Sequence, residues 1–189
     1  LVADVSVFYI DCRDQQLTMF PDGTTTGRMM TNAGKTRSFG LEASVSAAPA
    51  DNLSIRASYG YTNAKFRKFF DGHEDFSGRY IPYAPQNTLF FQAVYTLPIR
   101  HKILRRIEFD ANLRGTGKIY WNESNTLHQG FYCLPGASVA LEADKWLIRV
   151  FGTNLSDTRY HTFYFQSIGN EFLQRGKPWQ IGVSVSAHI

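Results

Sequence analysis

The sequence predicts an all-β fold, an antiparallel meander of about eight long strands. The clearest evidence is the run from Ile107 to Gly115, in which apolar residues alternate with charged or polar ones. Successive side chains of a strand point to opposite faces, so one face of this run is apolar and the other is polar. No window of the chain repeats its apolar residues with the period of a helix. The alternation therefore indicates strands.

The same alternation divides the whole chain into strands. Phe39, Leu41 and Val45 share one parity, and Val183 and Val185 do so near the end of the chain. The predicted strands are residues 3–19, 35–48, 52–67, 82–97, 105–121, 130–143, 145–164 and 177–189. Many are longer than the ~5–6 residues of an ordinary globular strand. Such lengths suit tilted strands that cross a bilayer and project beyond it.

The connections between the predicted strands alternate in length. Those at 20–34, 68–81, 122–129 and 165–176 are longer than those at 49–51, 98–104 and 144. Outer-membrane barrels have short turns at one end and longer loops at the other, whereas a soluble sandwich has no reason to keep this rule. The pattern therefore favours part of a transmembrane β-barrel, with apolar side chains facing lipid and polar ones facing the lumen.

Composition agrees with this interpretation. Aromatic residues make up 15% of the chain and gather at predicted strand ends, where an interfacial girdle belongs. No apolar run approaches the ~20 residues of a spanning helix, so insertion into a membrane would require a barrel. The formal net charge of +4 is too small to indicate a nucleic-acid partner. Cys12 and Cys133 fall on the first and sixth predicted strands, which predicts free thiols.

Five segments resemble the C-terminal barrel strands of TonB-dependent outer-membrane receptors. They are Ser38–Glu42, Tyr59–Phe66, Ile81–Thr88, Gly152–Tyr160 and Gly176–Val183. Their order and spacing fit that family across nearly the whole chain. The resemblance implies a binding and transport protein rather than an enzyme.

The resemblance also implies an organisation and partners. Residues 1–189 would be the C-terminal part of a receptor barrel in the bacterial outer membrane, with the plug domain and the earlier strands absent. Such a receptor binds and imports a scarce ligand, for example a metal chelate, a vitamin or an oligosaccharide. The expected partners are outer-membrane lipid, the plug of the same protein, and TonB only through the missing N-terminal part. The family commonly ends on an aromatic residue, whereas this chain ends on Ile189.

Two sets of side chains are candidates for function. Aromatic rings can stack on an organic ligand and arginine can bind carboxylate or phosphate. The predicted substrate-binding residues beside long loops are Arg79, Tyr80, Tyr120, Trp121 and Asn122. A second set shares the polar parity of the strands and is expected to face the lumen and contact the plug. Its members are Glu42, Arg56, Glu108, Asp110, Asn112 and Arg114.

The chain shows no catalytic motif, and neither a cofactor nor a metal is predicted. The one tight group of potential metal ligands, 73–75, is expected to be a solvated loop tip. Three alternatives remain open from sequence alone. The chain could be a complete small eight-stranded outer-membrane barrel with an adhesion or structural role. It could also be a barrel enzyme such as an outer-membrane lipase, or a soluble β-sandwich that binds carbohydrate.

Overall fold

The computed structural model describes residues 1–19, 29–32, 34–167 and 170–187. Its strands are β1 (Val2–Arg13), β2 (Gln16–Met19), β3 (Met29–Asn32), β4 (Lys35–Ala50), β5 (Leu53–Lys68), β6 (Asn87–Pro98), β7 (Leu104–Thr116), β8 (Ile119–Tyr120), β9 (His128–Gln129), β10 (Tyr132–Ala143), β11 (Trp146–Thr153), β12 (His161–Ser167), β13 (Asn170–Arg175) and β14 (Gln180–Ala187). Ile189 lies outside the described residues.

Eight of these strands form one antiparallel sheet in the order β1-β4-β5-β6-β7-β10-β11-β14. Each strand pairs with the next sheet strand along the chain, so the predicted all-β meander is confirmed. The sheet is open, with β1 and β14 as its edges. The eight strands therefore do not close on themselves as a small barrel would.

Three predicted strands are each divided in two. The segment 3–19 leaves the sheet after Arg13, where Asp14 adopts a left-handed φ of 55°. The segment 145–164 is interrupted after Thr153, where Asn154 has a φ of 49°. Strand geometry needs negative φ, so the ladder ends at such residues although the apolar alternation continues. The segment 105–121 divides likewise into β7 and β8.

The pieces that leave the sheet form small hairpins in the long connections. These hairpins are β2–β3, β8–β9 and β12–β13. The long connections, which we call loops 1 to 4, are 14–34, 69–86, 117–131 and 154–179. The described residues of these loops lie at one end of the meander, the loop end, and the short turns 51–52, 99–103 and 144–145 lie at the other. The predicted alternation of long and short connections is confirmed.

One face of the sheet, the outer face, is apolar and exposed. Tyr95, Phe109, Val139, Val150 and Val183 are consecutive register partners that form one row across β6, β7, β10, β11 and β14. Every member of this row is at least 40% exposed. A water-soluble protein rarely exposes an apolar surface of this extent. The row instead has the character of a surface that faces hydrocarbon.

The opposite face, the inner face, is polar. Arg56 pairs with Gln92, Gln92 with Asn112, and Asn112 with Gly136 across four neighbouring strands. The two clusters of buried apolar side chains among the described residues lie at the loop end, not between two sheets. No second sheet layer covers the described sheet, so the soluble-sandwich alternative lacks its core. Within the described residues, no helix is long and apolar enough to span a membrane.

Candidate functional site

Loop 2 folds back onto the end of β5 and builds a small aromatic core. Phe66, Phe69 and Phe76 are buried and pack together, with ring centroids 4.9 and 5.4 Å apart along that order. The returning chain then pairs with β5, since the Phe66 N–H donates to the Arg79 carbonyl at 3.0 Å. Burial of these rings anchors loop 2, so the residues that follow have a fixed position.

Loops 2 and 3 are joined by a reciprocal pair of hydrogen bonds. The Tyr80 N–H donates to Asn125 Oδ1 at 2.7 Å, and Asn125 Nδ2 donates to the Tyr80 carbonyl at 2.9 Å. Arg79 adds a second link, because its guanidinium donates to the Ser124 carbonyl and to Glu74 Oε1, the latter at 2.7 Å. The predicted ligand residues Arg79 and Tyr80 therefore belong to a joint between two loops.

Tyr80 and Tyr120, both predicted ligand residues, stack on each other. Their ring centroids are 5.4 Å apart and their planes differ by 17°. The ammonium of Lys65 lies 4.5 Å from the Tyr80 centroid, and that of Lys118 lies 4.6 Å from the Tyr120 centroid. An isolated bridge pairs Lys65 with Tyr80, and paired residues have their side chains on the same face of a sheet. Because Lys65 has the parity of the outer face, Tyr80 also lies on the outer side. The pair forms a cation–π array at the rim of the sheet.

Trp121, a third predicted ligand residue, is buried. It is 6% exposed and packs with Ile119, Tyr164 and Leu127 in the second core cluster of the loop end. Tyr164 comes from loop 4, so this cluster joins loops 3 and 4. Burial raises the pKa of the Tyr164 hydroxyl above its ordinary value. Trp121 is thus part of the buried core that holds loops 3 and 4 together.

Asn122, a fourth predicted ligand residue, organises the tip of loop 3. Its Nδ2 donates to Ser124 Oγ at 2.8 Å and to Thr126 Oγ1 at 2.7 Å. Its Oδ1 accepts from the Leu127 N–H at 3.1 Å. The next residue, Glu123, is half-buried, and its pKa is raised chiefly by burial and further by the negative charge of Asp71 in loop 2. The side chain of Asn122 is therefore engaged with its own loop.

Tyr83 is a central residue of the loop end that the sequence indicates only as part of the family-like segment Ile81–Thr88. Its hydroxyl donates to the Tyr164 carbonyl at 2.5 Å, and its ring stacks on Phe163 at 5.6 Å. It also meets Trp121 edge to face at 5.6 Å. Tyr83 has a φ of 63°, yet its side chain is 48% exposed. A bulky residue in this region of φ is uncommon and persists where its surroundings require it.

The rings continue from Tyr83 along the β12–β13 hairpin. Phe163 lies 5.8 Å from Phe165, and Phe165 stacks on Phe172 at 4.8 Å between centroids. Phe163 and Phe172 are 42% and 46% exposed. We call Tyr83, Phe163, Phe165 and Phe172 the aromatic row. The sequence signal for it was the clustering of rings beside two long loops, but the contact between those loops is not visible in sequence.

Asn154 fixes the point at which loop 4 leaves the sheet. Its side chain is 5% exposed, and its Oδ1 accepts from the Thr158 N–H at 2.9 Å. Its Nδ2 donates to the carbonyls of Thr158 at 3.1 Å and Lys177 at 3.0 Å. One amide therefore ties the beginning of loop 4 to its end. Sequence reasoning included Asn154 only within a family-like segment.

The inner face holds all six predicted lumen-facing residues, because their register partners share one parity. Asp110 is the centre of a polar network on this face. Asn112 Nδ2 donates to Asp110 Oδ1 at 2.7 Å, and Gln92 Nε2 donates to Asp110 Oδ2. Glu108 forms an ion pair with Arg149 of β11, with Oε1 and the guanidinium nitrogen 3.1 Å apart. The bond from Gln92 joins the neighbouring strands β6 and β7, and the Glu108–Arg149 pair crosses β10 to join β7 to β11.

The other three members of that set lie on the inner face outside this network. The side chains of Glu42, Arg56 and Arg114 are exposed. Arg114 lines a concavity of about 460 Å³ on the inner face together with Asp110 and Asn112. Within the described residues, Arg56 and Arg114 form no ion pair. An exposed cation in a concave wall is available to a ligand or to another segment of protein.

The described residues present no group of three His, Cys, Asp or Glu side chains that could hold a metal. Cys12 and Cys133 are free, as the sequence predicts. In the 73–75 segment, the His73 and Glu74 N–H groups donate to Asp71 Oδ1 at 2.8 and 2.7 Å. This segment is a turn closed by its own carboxylate, as expected of a loop tip.

The fold and the loop end define the class of the protein. A meander of long antiparallel strands, with an exposed apolar face, a polar concave face and long loops at one end, is the wall of an outer-membrane type β-barrel. A family model described as TonB dependent receptor-like, beta-barrel, matches residues 1–155. The chain belongs to the TonB-dependent receptor family. This is a family of bacterial outer-membrane receptors and not of enzymes.

Individual relatives agree with the family. The ferrioxamine receptor of Yersinia enterocolitica is 30% identical over 135 residues, which are 68% of this chain and 18% of that protein. The ferric-pyoverdine M114 receptor PbuA of Pseudomonas sp. (strain M114) is 29% identical over 161 residues, 82% of this chain and 19% of that protein. The chain thus spans less than a fifth of the length of these relatives.

Solved structures show the same fold. The ferric yersiniabactin uptake receptor FyuA of Yersinia pestis superposes with a TM-score of 0.80 at 21% identity, covering 97% of this chain and 27% of that one. The ferric citrate transporter FecA superposes with a TM-score of 0.72 at 23% identity, covering 97% of this chain and 29% of that one. The predicted identity as barrel strands of a TonB-dependent receptor is confirmed.

Proposed function

We propose that residues 1–189 are the C-terminal barrel portion of a longer receptor that captures a ferric chelate in the bacterial outer membrane and imports it. We call that longer protein the full-length receptor. The observation that carries the proposal is the combination of an exposed apolar outer face with three mutually bonded loops at one end of the wall. Such a wall needs lipid around it, and such loops present a surface to the outside.

A ferric chelate is the ligand class that the relatives support. The two curated relatives are receptors for ferrioxamine and for ferric-pyoverdine. Ferric chelates are organic molecules of moderate size, and exposed rings can stack on their organic part. The aromatic row offers such rings, and Arg79 of the loop joint is a side chain type that can bind a carboxylate or another anionic group.

The predicted ligand residues would then have different roles. Arg79 and the Tyr80–Tyr120 stack lie at the surface of the loop joint and are the candidates for direct contact. Trp121 and Asn122 would act as positioning residues, since the first is buried and the second bonds its own loop. We add Tyr83 and Phe163 to the direct candidates because their rings are exposed.

The inner face would receive the plug of the full-length receptor. The exposed charges of Glu42, Arg56 and Arg114 are suited to ion pairs with that domain, and the Asp110 network would hold the wall behind them. Energy coupling would come from TonB acting on segments outside this chain. The apolar outer face would contact outer-membrane lipid, and no nucleic-acid partner is proposed.

Binding of ferric chelates to the full-length receptor tests the function. Purified receptor in detergent is titrated with ferrioxamine, ferric-pyoverdine and the same chelators without iron, and the quenching of its tryptophan fluorescence is followed. We expect saturable binding of at least one ferric form and much weaker binding of its iron-free form. Saturable binding of neither ferric form, or equal binding of the ferric and iron-free forms, would show that the ligand class is wrong.

A matched pair of ring variants tests the site. Tyr83→Ala removes a ring of the aromatic row, whereas Tyr95→Ala removes an equally large ring from the outer face, where it is 40% exposed. Loss of a stacked ring should weaken ferric-chelate binding by up to about tenfold. The Tyr95 variant should bind as the wild type does. Equal affinity of all three proteins would exclude Tyr83 from the ligand site.

A further inference from the structure

Basic residues gather on the outer face at the loop end of β1, β4 and β5. We call this group the basic belt; it consists of Arg13, Lys35, Arg37, Lys65 and Arg67. Asp11 is the acid that lies among them. All of these residues have the parity of the apolar outer face, although none of them is apolar.

Strand register fixes the belt on the outer side. Asp11 pairs with Arg37, and Arg37 pairs with Lys65, so the three lie side by side across β1, β4 and β5. Arg67 reaches over β4 to Asp11, with its guanidinium nitrogen and the carboxylate oxygen 2.6 Å apart. A bond between residues of β1 and β5 that crosses β4 requires both side chains to be on one face. The belt is therefore a surface feature and not part of the lumen.

The belt begins where the apolar band ends. Tyr9 pairs with Phe39, and Phe39 meets Tyr61 edge to face with centroids 6.5 Å apart. The next outward-facing position along each strand is Asp11 or Arg37, roughly 6.6 Å further on at ~3.3 Å per residue. Aromatic rings mark the interface of a barrel, so the bases lie at the level of lipid headgroups.

Like charges oppose each other within the belt. Arg13 is the direct register partner of Lys35, and Arg37 is the direct register partner of Lys65. Cross-strand neighbours of like charge destabilise a sheet. The single acid pairs with Arg67 and leaves the other bases without a carboxylate partner among the described residues. An arrangement of this kind is favourable when an external anion lies between the bases.

The other end of the same strands has no such feature. The outer-face residues there are apolar; they include Ala3, Val45, Ala47 and Ile55. Across the sheet at the short-turn end, the outer-face base Arg105 is engaged with a carboxylate: Arg105 and Asp144 form two bonds of 2.5 and 2.7 Å. The positive charge of the outer face is thus concentrated at the loop end.

We propose that the basic belt binds the phosphate groups of lipid headgroups in the outer leaflet of the membrane. This proposal rests on the proposed membrane location and assigns a site to it. Arginine and lysine are the side chains that bind phosphate, arginine through two parallel bonds and lysine as a point charge. A phosphate between Arg37 and Lys65 would neutralise the like-charge pair, and the acyl chains below it would lie on the apolar outer face.

Native mass spectrometry of the full-length receptor tests the belt. The probes are lipid A, whose headgroup is phosphorylated, and the same lipid with its phosphates removed. The belt variant combines Arg13→Gln, Lys35→Gln and Arg37→Gln. It keeps the cation–π contact of Lys65 with Tyr80 and the ion pair of Arg67 with Asp11. The control variant is Arg100→Gln, Lys102→Gln and Lys145→Gln, which removes the same charge from exposed positions at the short turns.

We expect wild type and control to bind lipid A at least about tenfold more tightly than the belt variant at low salt. The dephosphorylated lipid should bind all three proteins equally and weakly. A charge-retaining variant, Arg13→Lys, Lys35→Arg and Arg37→Lys, should bind as the wild type does. Inorganic phosphate at the same concentration should displace little lipid, since it lacks the acyl chains.

The comparison between the two lipids requires no variant, so it decides the matter even where a variant fails to fold. Equal binding of both lipids to wild type, or equal lipid A binding by belt variant and control, would overturn the proposal. Full displacement by inorganic phosphate would show an anion site without lipid specificity and overturn it too. Ferric-chelate binding is measured on the same samples, and its failure would count against the proposed function alone.

Discussion

Asn125 in loop 3 holds Tyr80 in loop 2 by both of that residue's backbone groups. The amide oxygen of Asn125 accepts from the Tyr80 N–H at 2.7 Å, and its nitrogen donates to the Tyr80 carbonyl at 2.9 Å. A side-chain amide has the same donor and acceptor as a peptide unit, so Asn125 replaces a strand partner for one residue. Its φ of 58° is a conformation that asparagine tolerates better than most residues.

Substitution Asn125→Ala should separate loops 2 and 3. It removes both hydrogen bonds and leaves the Tyr80 backbone groups without their partner, at a local cost of about 1–3 kcal/mol. Hydrogen exchange of the full-length receptor measures this directly. We expect faster exchange at 78–81 and 122–127, and unchanged exchange in β6 and β7.

Two further variants separate the hydrogen bonds from the backbone strain at this position. Asn125→Gly relieves the left-handed φ but has no amide, and Asn125→Asp keeps only the acceptor. We expect the glycine variant to exchange nearly as fast as the alanine variant and the aspartate variant to be intermediate. Wild-type protection in Asn125→Gly would mean that the conformation of loop 3, and not the amide, holds Tyr80.

Arginine at adjacent positions of β10 should distinguish the two faces of the wall. Val139 lies on the outer face and is 41% exposed, whereas Ser138 lies on the inner face opposite Asp110. Val139→Arg places a charge in hydrocarbon, at a cost of about 2–4 kcal/mol near the bilayer midplane. Ser138→Arg places the same charge beside a carboxylate and should cost much less.

Urea unfolding of the full-length receptor in lipid vesicles measures the stability of these two variants. The midpoint should fall clearly for Val139→Arg and only slightly for Ser138→Arg. A larger loss for the Ser138 variant would reverse the assignment of the faces, and with it the orientation on which the basic belt depends.

The inner-face charges should matter for retention of the plug in the full-length receptor. Replacing Asp110 and Arg114 by leucine removes the centre of the polar network and an exposed cation of the concavity. We expect the plug to become more accessible to protease while the barrel remains folded. Phe109→Leu, at the neighbouring outer-face position, is the control and should not change cleavage. Identical cleavage of both variants and wild type would exclude a plug contact at these residues.

Asn154→Ala should loosen the whole of loop 4. The substitution leaves the Thr158 N–H and the carbonyls of Thr158 and Lys177 without a partner at a buried position. We expect a loss of about 1–3 kcal/mol in the stability of the loop, seen as faster hydrogen exchange over 154–160 and 176–180. Asn154→Gly, which accommodates the φ of 49°, should not rescue it. Rescue by glycine would assign the effect to backbone strain.

Glu123 should make loop 3 sensitive to pH. Burial, and then the charge of Asp71, raises its pKa above the ordinary value of 4.5. A carboxyl with a raised folded pKa costs no stability below its unfolded pKa, and the cost grows as the pH rises to the folded pKa. The closed loop should therefore gain protection when the pH falls from neutral towards 4.5.

The matching variant is Glu123→Gln, which cannot ionise. The measured quantity is the difference in hydrogen exchange between wild type and this variant at each pH, because effects of pH on the rest of the protein are common to both. That difference should be largest at neutral pH and vanish near pH 4.5. A constant difference across the range would show that closing the loop does not change the pKa of Glu123.

Much of the wall could be predicted from alternation alone. The parity of Ile107, Phe109 and Ala111 against Glu108 and Asp110 is enough to assign two faces, because a strand has no other way to arrange them. The ends of the strands cannot be predicted from the alternation. Asp14 and Asn154 end their strands through left-handed φ values, and neither residue type requires that conformation.

The candidate site was predicted only in part. The sequence indicates a cation and three rings near long loops, and the structure brings these residues to one end of the sheet: Arg79, Tyr80, Tyr120 and Trp121. It also shows that Trp121 is buried and that Asn122 bonds its own loop. Contacts such as Tyr83 with Phe163 join loops that are distant in sequence, so no local pattern encodes them.

The alternation of residues is enough to predict a meander of amphipathic strands with one apolar and one polar face, because side-chain parity is a local property of an extended chain. Which residues of different loops meet depends instead on tertiary packing. It alone placed Asn125 against Tyr80, Tyr83 against Phe163, and Arg67 across β4 on Asp11. Those contacts depend on strand register and on how each loop folds back, and both are settled by packing over the whole sheet.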